Sequence, residues 1–167
     1  MNRRQFCFAF SGAVALLAGA RPGHAECGSS GVTEFINTVW QKQARLLAAQ
    51  TPLSQEEYDA LFSRGMQALF HAPRPYLKDQ PIGRILNAFF GWGVLPGTEV
   101  QINDIEIDSG DETGPATVRV AIEHHGEPHK NLVHVVMQGD EWRIANIIYD
   151  SGKSLLEYYR VLTGRRG

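Results

Sequence analysis

Cysteine is nearly absent from this chain. Cys7 and Cys27 are the two present in 167 residues. If the first 25 residues are removed, as argued below, one thiol remains and no intramolecular disulfide can form. Cys27 then reads as a free thiol in a loose tail, with an intermolecular disulfide as the sharper alternative. Long apolar runs are missing too. Phe6–Ala18, interrupted by Ser11 and Gly12, falls short of the ~20 residues that a bilayer span needs. There is no Gly-x-Ser-x-Gly and no His-Glu-x-x-His sequence. Gly152-Lys153-Ser154 has Ile147 where a phosphate loop needs glycine. Nucleophilic catalysis, a metal centre and a bound cofactor are therefore not expected.

What the first residues do contain is a targeting pattern. Arg3 and Arg4 give a positive start, the apolar run follows, and Gly23 and Ala25 are small residues where signal peptidase reads. Residues 1–25 are expected to be a signal peptide cleaved after Ala25. Arg3-Arg4-Gln5-Phe6 resembles the core of a twin-arginine export signal, with general secretion as the other route. Both lead to a periplasmic or secreted protein. A lipid anchor on Cys27 is disfavoured by His24, Ala25 and Glu26 before it. Loss of the leader's three arginines leaves 13 basic of the original 16 against 18 acidic residues, a net charge of −5. That balance argues against nucleic-acid binding, which needs a basic patch.

Residues 26–31 are rich in Gly and Ser and read as a flexible linker, leaving 32–167 as one α+β domain. Val32, Phe35, Ile36, Val39, Trp40, Leu46 and Leu47 recur at helical spacing. Ser54-Gln55-Glu56-Glu57 is a capping box opening a second helix, whose buried face runs from Tyr58 to Phe70 and which Pro73 ends. A short third helix is assigned over 82–90. From Thr98 the period becomes two. Val100 and Ile102 have one parity, Ile105 and Ile107 the other, which predicts a bulge near Asn103-Asp104. Strands follow over Ala116–Glu123, Leu132–Gln138 and Glu141–Tyr149, then a last helix from Ser154.

Two turns set the register. Gly139-Asp140 pairs Met137 with Trp142, Val135 with Ile144 and Val133 with Asn146. A four-residue turn at 126–129 pairs Val133 with Ile122 and Val135 with Val120. Both place the same apolar set inward. The outward face, with Leu132, His134, Val136, Ala145, Ile147 and Tyr149, is apolar enough to suggest a homodimer interface or cover by the last helix. The expected fold is α+β, with N-terminal helices on a curved four-stranded antiparallel sheet and a short C-terminal helix.

Ala116-x-Val118-x-Val120, Trp142-Arg143-Ile144-x-Asn146-Ile147-x-Tyr149 and Ser154-Leu155 resemble an exported bacterial family, domain of unknown function 3828. The helices-then-sheet order is similar to the cone-shaped nuclear-transport-factor-2-like fold. The resemblance, sharpest over 98–157, implies an envelope setting and no catalytic residues. Many relatives would carry Asp where Asn146 stands.

A cone has a mouth that can hold a small ligand. The register sends Asn146 and His124 inward, with Trp142 on the same strand. Tyr58, Tyr76, His71 and Asp79 approach from the helices. Asn146, His124, Tyr58, Tyr76 and Trp142 are thus the pocket candidates, although Asn146 more simply satisfies a buried backbone group. Alternation separates His124 from His125, and His129 is placed in a turn, so three histidine ligands do not converge. The function expected is a non-enzymatic periplasmic module binding a small apolar ligand or an envelope protein. The alternatives are a cone-cavity enzyme performing proton transfer and an immunity or inhibitor protein.

Overall fold

The computed structural model describes residues 29–73, 88–91, 94–110 and 114–164. Arg3, Arg4, Phe6 and Ala25 of the expected export signal, together with Cys27, Tyr76 and Asp79, lie outside them. Of the helix assigned over 82–90, only Ala88–Phe90 are described, and they form a turn.

The first helix, α1 (Ser29–Ala48), buries Val32, Ile36, Val39, Trp40 and Leu47 in one stripe. It takes in Ser29–Gly31, which composition assigns to a linker. Gly31 packs beside the Trp142 indole, where a Cβ would lie 3.6 Å from Nε1. The single helix expected from Ser54 to Phe70 is two, α2 (Gln55–Leu61) and α3 (Arg64–Phe70). The capping box on α2 forms as read, with the Glu57 amide donating to Ser54 Oγ and the Ser54 amide to Glu57. The break comes because Ser63 caps α3 and its amide donates to the Ile144 carbonyl at 2.9 Å. Phe62 is thereby extended and bridges to Ile144.

Among the described residues four strands follow as an antiparallel meander in the order β1-β2-β3-β4: β1 (Gln101–Gly110), β2 (Ala116–His124), β3 (Glu127–Gln138) and β4 (Glu141–Ile148). Then comes α4 (Leu155–Leu162), capped by Ser154. The architecture is α+β as expected. β1 has its irregularity between Ile102 and Asp104, where the parity switch places it, and a second between Ile107 and Ser109. The free edge of β4 is partly occupied by the Phe62 bridge and by Ser154, which bridges to Ile148.

Two registers differ from expectation. β2 and β3 join through a two-residue turn, His125-Gly126, so Ile122 faces His129 and Val118 faces Val133. Both turn residues have positive φ, 54° and 76°, the pattern of a tight I′ hairpin. Pro128, which suggested a longer turn, is tolerated because at this height β3 pairs only with β2; pairing with β4 starts at Leu132. The four-residue offset is even, so the inward set is unchanged. The β3–β4 hairpin pairs Met137 with Trp142 and Val135 with Ile144 as expected, but a bulge at Ala145 then pairs His134 with Asn146 and Val133 with Ile147. The extra residue takes Asn146 out of the inward row and brings Ile147 and Tyr149 into the core, leaving Leu132, His134, Val136 and Ala145 half-buried outside.

Val118, Val120, Ile122, Val133, Val135, Ile144 and Ile147 are the buried inner face of the sheet. Over it lies an aromatic cluster centred on Phe62, whose ring is 4.9 Å from Tyr58 and 5.0 Å from Phe70. α4 joins through Tyr159, 4.7 Å from Phe70. No helix among the described residues is long and apolar enough to cross a membrane.

Candidate functional site

The inner row of the sheet does not stay apolar to its end. The tight turn at His125-Gly126 carries β2 and β3 past the core, and the strand period then fixes which side chains continue the row. On β2, His124 follows Ile122; on β3, Val133 is preceded by Asn131, His129 and Glu127. On the β4 side, Tyr149 continues the row after Ile147. The turn beyond it is closed by the Tyr149 amide on the Lys153 carbonyl (2.9 Å) and the Gly152 amide on the Tyr149 carbonyl (2.8 Å), which holds Asp150, Ser151 and Lys153 at the rim. Phe90, Gly91 and Val94 form the opposite wall. Together they surround a hollow of about 500 Å³.

The polar groups here fall into two kinds. Asn131, 1% exposed, donates from Nδ2 to the Phe89 carbonyl at 3.1 Å, and the Tyr149 hydroxyl donates to the Ala88 carbonyl at 2.6 Å. These bonds tie the 88–91 segment to the sheet and leave both groups committed. Burial pushes the Tyr149 phenol well up from its ordinary value, so it stays protonated.

The histidines differ. The His124 and His129 rings are stacked, with centroids 4.3 Å apart and planes 7° from parallel. His124 Nδ1 and His129 Nε2 are buried and have no hydrogen-bond partner among the described residues. The other nitrogen of His129 is 3.7 Å from an Asp150 carboxylate oxygen, in ion-pair range but too long to fix the ring. Among the described residues neither ring is held by a hydrogen bond, so each can turn about its side-chain torsions and present a nitrogen to the hollow. Burial, then the neighbouring His129 and His125, lowers the His124 pKa, partly offset by Glu127. His124 is therefore neutral at neutral pH, offering one donor and one acceptor.

Among the five pocket candidates, His124 lies at this mouth. Asn146 accepts from the Leu156 amide at 2.9 Å and so serves the start of α4. Tyr58 is 2% exposed inside the aromatic cluster, next to Tyr159, and burial raises its pKa well above the phenol range. Trp142 is half-buried beneath Gly31 and pairs with Met137, next to the Gly139-Asp140 turn. His71 is exposed and contacts Asp59 Oδ2 at 2.6 Å. His129, expected in a turn and apart from His124, is instead in β3 and stacked on it. The signal for this was His125-Gly126 itself: histidine is among the residues enriched at positive φ, so the pair can make a two-residue turn. Among the described residues no three His, Cys, Asp or Glu side chains are grouped to hold a metal ion.

No family model matches the chain, and no curated protein matches it. Among solved structures, it is similar to a phospholipid-binding protein from Ralstonia solanacearum, in complex with a phospholipid, over 80% of this chain and 83% of that one, at 14% identity and a TM-score of 0.43.

Proposed function

We propose that this protein is an exported, non-enzymatic binding module that holds a small ligand in the mouth at the polar end of the sheet. The supporting observation is the pair of buried imidazole nitrogens, His124 Nδ1 and His129 Nε2, left without partners on rings that line a hollow of about 500 Å³. An unpaired buried polar atom is costly, and a ligand group that accepts or donates a hydrogen bond would remove that cost. Phe90 and Val94 supply an apolar wall, so the matching ligand has an apolar body and one polar head. Lys153 stands against Glu127 and Asp150 at the rim, which favours a head of low net charge. The expected export signal at residues 1–25 and the resemblance to an exported bacterial family support a periplasmic setting as part of the same proposal.

Proton-transfer catalysis has one observation in its favour: His124 is a neutral base in a hollow. It lacks its counterpart, because the Tyr149 hydroxyl that would stabilise an oxyanion is spent on the Ala88 carbonyl. Nor is either ring oriented by a hydrogen-bonded carboxylate.

Native mass spectrometry of the full chain expressed and exported in a bacterial host tests the proposal. The expected result is a periplasmic species beginning at Glu26 with a mass excess that vanishes on denaturation and is missing from a His124→Phe/His129→Phe variant. A bare mass for the unaltered protein would reject the ligand and turn attention to the half-buried outer face of the sheet and a protein partner.

A further inference from the structure

α1 carries a polar side chain inside its apolar stripe. Gln43 stands between Trp40 and Leu47 on the buried side of the helix and is 3% exposed. Its Nε2 has no hydrogen-bond partner among the described residues. Leucine there would bury the same volume without an orphaned amide, so the glutamine destabilises the fold unless something else completes it. It lies in the wall of a second hollow, about 440 Å³, between α1 and α2 and away from the sheet's mouth.

The surroundings define what would fit. Phe35, Val39, Leu53 and Leu61 make the hollow apolar around the amide. At its rim Lys42 and Glu57 pair at 3.2 Å and neutralise one another, which leaves Glu34 as the uncompensated charge among the described residues that line it. An anion would meet that acidic rim; a neutral molecule would not. We infer that the groove between α1 and α2 is a ligand site for a small neutral compound with an apolar body and a carbonyl oxygen, which accepts a hydrogen bond from Gln43 Nε2 once the side chain turns its buried amide toward the hollow. This site is separate from the His124–His129 mouth, and either can fail without the other.

The test uses three probes of one shape and the isotope-labelled full chain followed by NMR. Acetophenone has the carbonyl, ethylbenzene lacks it, and benzoate carries a charge. Acetophenone is expected to shift the Gln43 side-chain amide and the backbone amides of Leu53 and Leu61. It should bind about tenfold more tightly than ethylbenzene, the factor expected of one good hydrogen bond, with benzoate weakest. In Gln43→Leu the advantage of acetophenone over ethylbenzene should disappear while the melting temperature holds or rises. Thr38→Trp, an exposed position on the groove's rim, should block both neutral probes in a folded protein. The inference is overturned if the unaltered protein binds acetophenone and ethylbenzene equally or binds neither. It is also overturned if the preference survives in Gln43→Leu, if that variant melts lower, or if the shifts centre on His124 and His129.

Discussion

Asn131 and His129 stand two residues apart on β3 and face the same side of the sheet. Asn131 sits where the polar row meets the core, and its amide closes on the Phe89 carbonyl. His129 sits one step further out, and its buried Nε2 closes on nothing. The same contrast separates Tyr149 and Asn146, each bonded to a backbone group, from His124 and Gln43, which are not. Buried polar groups of the first kind hold loops and helix ends in place. Those of the second kind cost stability and carry no architecture, and in both places they line a hollow. Trp40 Nε1 and the Tyr58 hydroxyl mark the limit of the rule: among the described residues they also have no hydrogen-bond partner, but both rings are buried, with Trp40 edge-on to Phe89, and line neither hollow. The orphaned atom matters where its side chain lines a hollow it can turn toward.

Variants on the two sides of this contrast should separate stability from binding. A large stability loss is expected for Asn146→Ala, about 1–3 kcal/mol, because the Leu156 amide loses its acceptor at the start of α4. Tyr149→Phe should lose about 1 kcal/mol by freeing the Ala88 carbonyl. Chemical denaturation measures both, and the Asn146 variant should keep whatever ligand the mouth retains. A loss of ligand in Asn146→Ala with stability intact would put that residue back in the pocket.

A smaller effect follows from His124. Its folded pKa lies below the ordinary 6.5, so as pH falls through 6.5 the unfolded chain takes up a proton that the folded chain resists. Stability that is whole above pH 6.5 should decline below it, down to the folded pKa. Melting curves from neutral to mildly acid buffer should show the decline, and His124→Gln should flatten it. An unchanged slope in that variant would mean the ring is not desolvated as described.

Much of the fold was legible because it rests on local signals. The capping box at Ser54, the hairpin at Gly139-Asp140 and the parity switch at Asn103 each state their geometry within a few residues. The inward set on β2 and β3 survived a misplaced turn because the slip was even. The site was less legible, because it depends on where strands end. Pro128 hid the extension of β3 that brings His129 beside His124. The bulge at Ala145 has no glycine or proline to announce it, and it decides that Tyr149 rather than Asn146 faces inward. Ser63 broke a helix that periodicity alone would continue, through a bond to Ile144, 81 positions away. The apolar stripe read from Val32 to Leu47 passes over Gln43, and only the packed structure shows that its amide lacks a partner among the described residues.

The most direct measurement is the paired melting of Asn131→Leu and His129→Phe. Both replace a polar side chain of the same inner row with an apolar one of similar shape. Asn131→Leu should lose about 1–3 kcal/mol, because the Phe89 carbonyl is abandoned, while His129→Phe should be as stable as the unaltered protein or more so. Equal losses in the two would contradict the account, since His129 would then be a structural residue like its neighbour and the mouth would have no group set aside for a ligand.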